Sequence, residues 1–187
     1  MLIVGLDLAG VETRPTGFCI LEDWNVKTCV VHGDIEIIKK IQETKPKIIA
    51  IDAPLSLPAG RKSIDEKTDT HLRECDRELL RRKIRFFPVT LGPMRKLTSR
   101  GIKLRKTLEN MRFNVIEVYP GGAQDIFGIP RKQKGLDKLR SGLKKLQIKG
   151  IANAMSGDEL DAITPAYVGK LFRRKKRLPT AVVTRRS

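Results

Sequence analysis

Aromatic residues are scarce. They make up 5% of the 187 residues, and Trp24 is the sole tryptophan. Platforms that stack the bases of single strands need more of them, so any nucleic acid is expected to be recognised by backbone and shape. Histidine is limited to His32 and His71, which excludes a His-rich metal cage. Cys19, Cys29 and Cys75 are odd in number and widely spaced, so there is no paired-Cys zinc motif, and buried thiols in a reducing compartment fit them. No apolar run approaches the ~20 residues of a membrane span. The opening Met-Leu-Ile-Val-Gly-Leu lacks a basic start and stops at Asp7. It is too short for a signal peptide and reads as the first strand of a cytoplasmic protein with no membrane partner.

Acidic residues are also in short supply. Lys and Arg number 38 against 21 Asp and Glu, giving a net charge of +17 and a pI near 10.2. Such a field attracts polyanions, chiefly nucleic acid, DNA or RNA. A merely Lys-rich surface is the plainer alternative, and the distribution of charge argues against it. Residues 1–52 hold 6 basic and 8 acidic groups, whereas 61–112 hold 16 and 7, 131–149 hold 8 and 1, and 170–187 hold 8 and none. Between these basic blocks lie Glu117, Asp125, Asp158, Glu159 and Asp161, in stretches 113–130 and 150–169 that have no Lys or Arg. A surface made only for solubility has no need of that segregation. Apolar content of 40% is ordinary for a packed globule and excludes disorder of the whole chain. The length suits one α/β domain, residues 1–172, with an insertion at about 55–112 and a basic tail at 173–187.

Hydrophobic patterning predicts the path of the chain. Strands are expected at 2–7, 17–21 and 26–31, close enough in sequence for an antiparallel meander. A helix opens at Gly33-Asp34 and stops at Lys45-Pro46. The run 47–52 is apolar on both faces, as a central parallel strand would be. Helical stripes follow at Leu72, Cys75 and Leu79, and at Leu97, Gly101, Leu104, Leu108 and Met111. A fifth strand, 114–119, is closed by Pro120-Gly121-Gly122. Leu136, Leu139, Leu143 and Leu146 mark a short helix. Ser156 and Glu159 form a capping-box signature for a last helix through Leu160, Ile163, Tyr167 and Leu171. Pro165 would interrupt that helix, so a kink or a restart capped by Thr164 is expected. These stripes are core packing and carry no chemistry.

The chemistry lies at the strand ends. The first and fourth strands each end in an aspartate, Asp7 and Asp52. If those strands are parallel neighbours, about 4.8 Å apart, the two carboxylates can share one divalent ion. Glu117 ends near the same rim. Asp158 and Asp161 are three apart, hence on one face of the last helix. Together these acids would form an oxygen-only site, with Asp158 or Asp161 as the helix contribution. Unscreened, they would repel one another, and a hard cation such as Mg²⁺ or Mn²⁺ would relieve that repulsion. Two such ions can support phosphodiester cleavage, with the basic flanks holding the polyanion.

Gly5-Leu6-Asp7-Leu8-Ala9-Gly10, Thr16-Gly17, Ile51-Asp52-Ala53-Pro54-Leu55, Arg73-Glu74-Cys75-Asp76-Arg77, Glu117-Val118-Tyr119-Pro120-Gly121 and Asp158-Glu159-Leu160-Asp161-Ala162 occur in this order. As an ordered set they resemble an uncharacterised family of predicted nucleases with a ribonuclease H-like fold, over roughly residues 2–169. Holliday-junction resolvases share that fold class and likewise carry two late acids three apart. The resemblance implies an α/β fold with a five-stranded mixed sheet, its first three strands antiparallel, flanked by helices, and with a helical insertion after strand four. It implies Asp7, Asp52 and Asp161 as metal ligands, with Asp158 and Glu117 next among the catalytic acids. Pro165 departs from it, in a stretch that is Ala-rich in these relatives.

Arg73, Arg77 and Arg81 recur every four residues on the first helix of the insertion. They either grip phosphates or stitch ion pairs with Glu74 and Glu78. Arg173, Arg174, Lys175, Lys176 and Arg177 form a polybasic arm for non-specific binding. Two rivals to a nuclease stand. One is an ATP-using actin-like or sugar-kinase-like enzyme, which needs Gly-rich phosphate loops beyond Pro120-Gly121-Gly122. The other is a nucleic-acid-binding protein without hydrolysis. Affinity for nucleic acid is expected to fall steeply with salt, and removal of residues 173–187 to weaken binding evenly across sequences and flatten the slope. Titrations at several salt concentrations check this, and an unchanged slope places the contacts elsewhere.

Overall fold

The computed structural model describes residues 1–174, 179 and 182–184. Strands β1 (Leu2–Asp7) and β4 (Ile48–Asp52) are apolar on both faces because helices cover both faces of the sheet they centre. They pair in parallel. Strands β2 (Thr16–Glu22) and β3 (Asn25–Val31) complete an antiparallel meander with β1, as the short connections predict. Beyond β4, strand β5 (Val115–Val118) adds in parallel. A sixth strand, β6 (Val183–Thr184), then pairs antiparallel to β5, so the order is β3-β2-β1-β4-β5-β6. The five-stranded expectation is therefore corrected to six. Two residues are too few to show a period, which is why β6 left no mark in the pattern.

Side chains alternate between the two faces. Val4, Leu6, Ile49 and Ile51 pack with Ile37 and Ile41 of helix α1 (Gly33–Thr44) and Leu104 and Leu108 of α3 (Gly92–Asn110). Ile3, Ile48, Ala50, Ile116 and Val118 pack on the other face, with Leu139 and Leu143 of α5 (Leu136–Lys145) and Leu160, Ile163 and Ala166 of α6 (Gly157–Arg173). The insertion contains α2 (Glu74–Arg81) and α3. A short helix α4 (Pro120–Phe127) and a 3-10 turn (Lys132–Lys134) follow β5.

Helix α4 begins at the Pro120-Gly121-Gly122 that closes the fifth strand. Its Pro120 sits in the first turn and Gly128 adopts φ 66° just beyond the end, a Pro-start, Gly-stop pattern that marks a helix. Helix α6 runs through Pro165 without the expected restart. Thr164 does not serve as a cap: its hydroxyl accepts a hydrogen bond from Gln124 Nε2 at 3.0 Å. Burial of the whole stretch from Leu160 to Ala166 outweighs the one backbone bond that proline removes.

Helix α6 lies on β1 and β2 at backbone contact. A Cβ at Gly17 would stand 1.9 Å from the Asp158 carbonyl oxygen, and one at Gly5 2.3 Å from that of Ala162. Gly17→Ala must therefore displace the first turn of α6. We expect a loss of about 3 kcal/mol or more, a fall in Tm of ~6–12 °C. Gly92→Ala, where a Cβ meets nothing within 4 Å, is expected to be neutral or to gain up to about 1 kcal/mol. Thermal unfolding of the two variants checks the contrast.

Candidate active site

Asp7 and Asp52 are direct register partners at the C-terminal ends of β1 and β4. Their parity is that of Ile3 and Ala50, so both carboxylates lie on the α6 face. Gly17 is the partner of Asp7 on β2, and its missing side chain lets the start of α6 settle over the strand ends. Ser156 caps that start reciprocally with Glu159, whose carboxylate also accepts from Thr28 Oγ1 on β3 at 2.8 Å. These bonds set the helix so that Asp161 is buried against the strand ends and Asp158 half-buried beside it.

The expected acids Asp7, Asp52, Asp158 and Asp161 are thus brought to one rim. Burial and the neighbouring Asp161 and Asp158 push the Asp7 carboxyl up to about 7, although Lys132 opposes the shift. Asp52 is held well above the ordinary carboxylate range by burial first, then by Asp7 and Asp161. Burial also raises Asp161, against the pull of Lys132.

Lys132 was not foreseen. The 3-10 turn brings its Nζ to 2.5 Å from Asp161 Oδ2 and 3.9 Å from Asp7 Oδ2. Burial lowers the lysine, but the two aspartates outweigh it and hold it above its ordinary value. In the sequence Lys132 is one cation in a run of eight, and nothing set it apart. Among the described residues no group of three or more His, Cys, Asp or Glu side chains stands ready to hold a metal ion. The donor set suits a hard cation in kind: oxygen-only, mutually repelling and half-enclosed. Lys132 has to give way for such an ion to enter.

Glu117 belongs to the opposite face. It is paired with Ile51, one position short of Asp52, and its neighbours Ile116 and Val118 face α6. Both its oxygens are taken: Arg73 Nη1 lies 2.7 Å from Oε1, and the Leu55 N–H donates to Oε2 at 2.7 Å. These bonds tie it to the loop after Asp52, with which it shares a cavity wall, and its charge adds to the rise of the Asp52 carboxyl. Arg73, expected on a phosphate-gripping stripe, is buried at the start of α2 and bound to Asp76 and Glu117. Arg77 and Arg81 are exposed and pair with Glu74 and Glu78 at 2.9–3.6 Å, the stitching alternative. Arg173 and Arg174 end α6 near Trp24, with Arg174 5.5 Å from its ring centre. That is one helix length, ~24 Å, from Asp158. Lys175, Lys176 and Arg177 lie outside the described residues. The glycines of Pro120-Gly121-Gly122 serve packing: a Cβ at Gly121 would meet Arg131 at 2.9 Å, and one at Gly122 would meet Tyr119 at 2.9 Å.

The fold and rim define a mixed α/β protein with a carboxylate cluster at its strand ends. A family model described as Protein of unknown function (DUF429) matches residues 5–182, and the chain belongs to that family. No curated protein and no solved structure matches it. Among the described residues no helix is long and apolar enough to cross a membrane.

Because the folded Asp7 titrates near 7 rather than 3.8, the native protein binds a proton that the unfolded chain has released. This contribution to stability falls as pH rises through that window and levels off above it. Asp7→Asn is expected to lessen the decline, leaving the part due to Asp52 and Asp161, and to raise the Tm of metal-free protein at about pH 7.5 by ~3–6 °C. Asp161→Asn deprives Lys132 of its closest partner and is expected to gain less or to lose. Unfolding followed from about pH 4 to 8 checks both the sign and the order.

Proposed function

We propose that this protein is a metal-dependent nuclease with a ribonuclease H-like fold that cleaves phosphodiester bonds in nucleic acid. The observation that carries the reading is the convergence of Asp7, Asp52 and Asp161, whose carboxyls are pushed up by burial and by neighbouring acids, Asp161 by Asp158, with an ammonium between two of them. A cluster of acids at that cost to the fold calls for a cation. The three antiparallel strands followed by parallel β4 and β5, and a net charge of +17 around an acidic rim, support the same assignment.

Asp7, Asp52 and Asp161, with Asp158 beside them, would hold Mg²⁺ or Mn²⁺. Bound there, the ions would supply an activated water and stabilise the departing oxygen. The chain's own contribution is positional. Asp7 and Asp52 are fixed by strand register, and Asp161 by the backbone contact of α6. Glu117 and Arg73 hold the loop that follows Asp52. Lys132, once released from Asp161, is a cation on the rim and suited to a phosphate oxygen.

The test is cleavage of a panel of single-stranded, duplex and branched DNA and RNA with Mg²⁺ or Mn²⁺. Asp52→Asn is expected to reduce cleavage by at least ~100-fold while the fold and nucleic-acid affinity survive. Either ion is also expected to raise the wild-type Tm through binding to the native state. An active but destabilised Asp52→Asn protein would sink this reading. Tight binding with no cleavage across the panel would favour the non-catalytic alternative.

A further inference from the structure

Residues 80–88, between α2 and α3, stand opposite α4 and the 3-10 turn across an open groove of about 1210 Å³. Leu80, Phe86, Phe87, Tyr119 and Ile129 line it. Phe87 is 68% exposed and Leu80 54%, an unusual outlay of apolar surface on so charged a protein. Phe86, Phe87 and Tyr119 also line an adjoining cavity of about 210 Å³ that reaches Asp52, so the groove opens towards the carboxylate rim.

Its edges are basic. Lys83, Arg85 and Lys134 line it, are exposed, and have no ion pair among the described residues. The acid in the lining, Asp125, is already bound to Arg131, with contacts of 2.5 and 2.9 Å. The two walls are tied together. The Tyr119 hydroxyl donates to the Arg85 carbonyl at 2.5 Å and accepts from Arg131 Nη1 at 3.2 Å.

We propose that this groove binds unpaired nucleotides, with bases stacked on Phe87 and Phe86 and phosphates held by Lys83, Arg85 and Lys134. The proposal deepens the nuclease reading, on which it rests, by making nucleic acid with a single-stranded segment the substrate class. A duplex hides the faces of its bases, whereas an unpaired base offers a whole π-face to an exposed ring. Free cations beside exposed aromatics suit a strand that is both anionic and aromatic, and suit an apolar helix poorly. The few aromatics of the chain thus support stacking locally, where composition alone argued against it.

The test uses the full chain in chelator, so that no strand is cut. Its probes are a thymidine strand of about 12 nucleotides, an abasic strand with the same number of phosphates, and a duplex of equal length. Wild type is expected to bind the thymidine strand about tenfold or more tighter than the abasic strand. Phe87→Ala is expected to bring that ratio close to one without moving Tm, since the ring is mostly exposed. Charge reversal at Lys83 and Arg85 is expected to weaken both strands and lower the salt slope. A ratio near one in wild type, or one unmoved by Phe87→Ala, overturns the proposal. So does a change of oligomeric mass in Phe87→Ala with binding intact, which would make the face a protein contact. Cleavage with Mg²⁺ or Mn²⁺, scored separately, keeps the two readings apart. Base-dependent binding without cleavage fails the nuclease and leaves the groove standing, whereas duplex cleavage without base-dependent binding fails the groove alone.

Discussion

The close seat of α6 on β1 and β2 is the constraint on which the rest depends. Gly5, Gly17 and Gly169 each face a position where a Cβ would stand 1.9–2.9 Å from another atom. Ala162 and Ala166 do the same work from the helix side, both fully buried. At these positions helix and sheet meet through backbone and small side chains, with Leu160 and Ile163 packing alongside. A carboxylate on the first two turns of such a helix is located by the sheet itself. Asp161 reaches the ends of β1 and β4 for this reason, and the capping box at Ser156 and Glu159 fixes the rotation that presents it.

That placement works against stability. Acids at two strand ends and on an apposed helix are each partly removed from water while facing like charge, and all three respond by holding protons more tightly. Lys132 offsets part of the repulsion but contacts only Asp161 closely. In the second acidic cluster burial raises the Glu117 carboxyl too, against the pull of Arg73, but the charge there is paired. Glu117 and Asp76 are as deeply buried, yet Arg73 stands between them with a hydrogen bond or ion pair to each. The Glu117 and Asp76 charges are balanced by Arg73, whereas the Asp7, Asp52 and Asp161 cluster is short of positive charge, an imbalance that clusters at functional sites.

Much of this was legible in the sequence. The continuous apolar runs ending in Asp7 and Asp52 specify central strands, and their parallel pairing follows from the intervening α1. The Ser156 and Glu159 pair specifies the helix that carries Asp158 and Asp161. Nearness to a strand end alone puts Glu117 on the rim with Asp7, and parity separates them. Ile116 and Val118 flank it, and a period of two sends it to the face opposite Asp7. Arg73 differs from its stripe for a related reason. Its four-residue spacing from Arg77 is helical, but it stands at the cap, where a side chain turns inward to Asp76. Lys132 was illegible because a short 3-10 turn has no hydrophobic period and one lysine among many carries no mark.

The 3-10 turn also joins features that composition kept apart. Its backbone is closed by Lys134 N–H to Arg131 oxygen at 3.0 Å and Gly135 N–H to Lys132 oxygen at 2.9 Å, with Gly135 at φ 115°. Lys132 turns inward to the carboxylates while Gln133 and Lys134 face the groove. Arg131, just before the turn, is anchored by Asp125 and by the ring of Tyr119, whose hydroxyl holds the far wall at Arg85. The basic stretch that reads in sequence as a uniform patch is thus divided by geometry. Lys132 neutralises acid, Arg131 is structural, and Lys134 is left exposed at the groove. Charge counting cannot make that division, because it depends on which way each side chain leaves a single turn of chain.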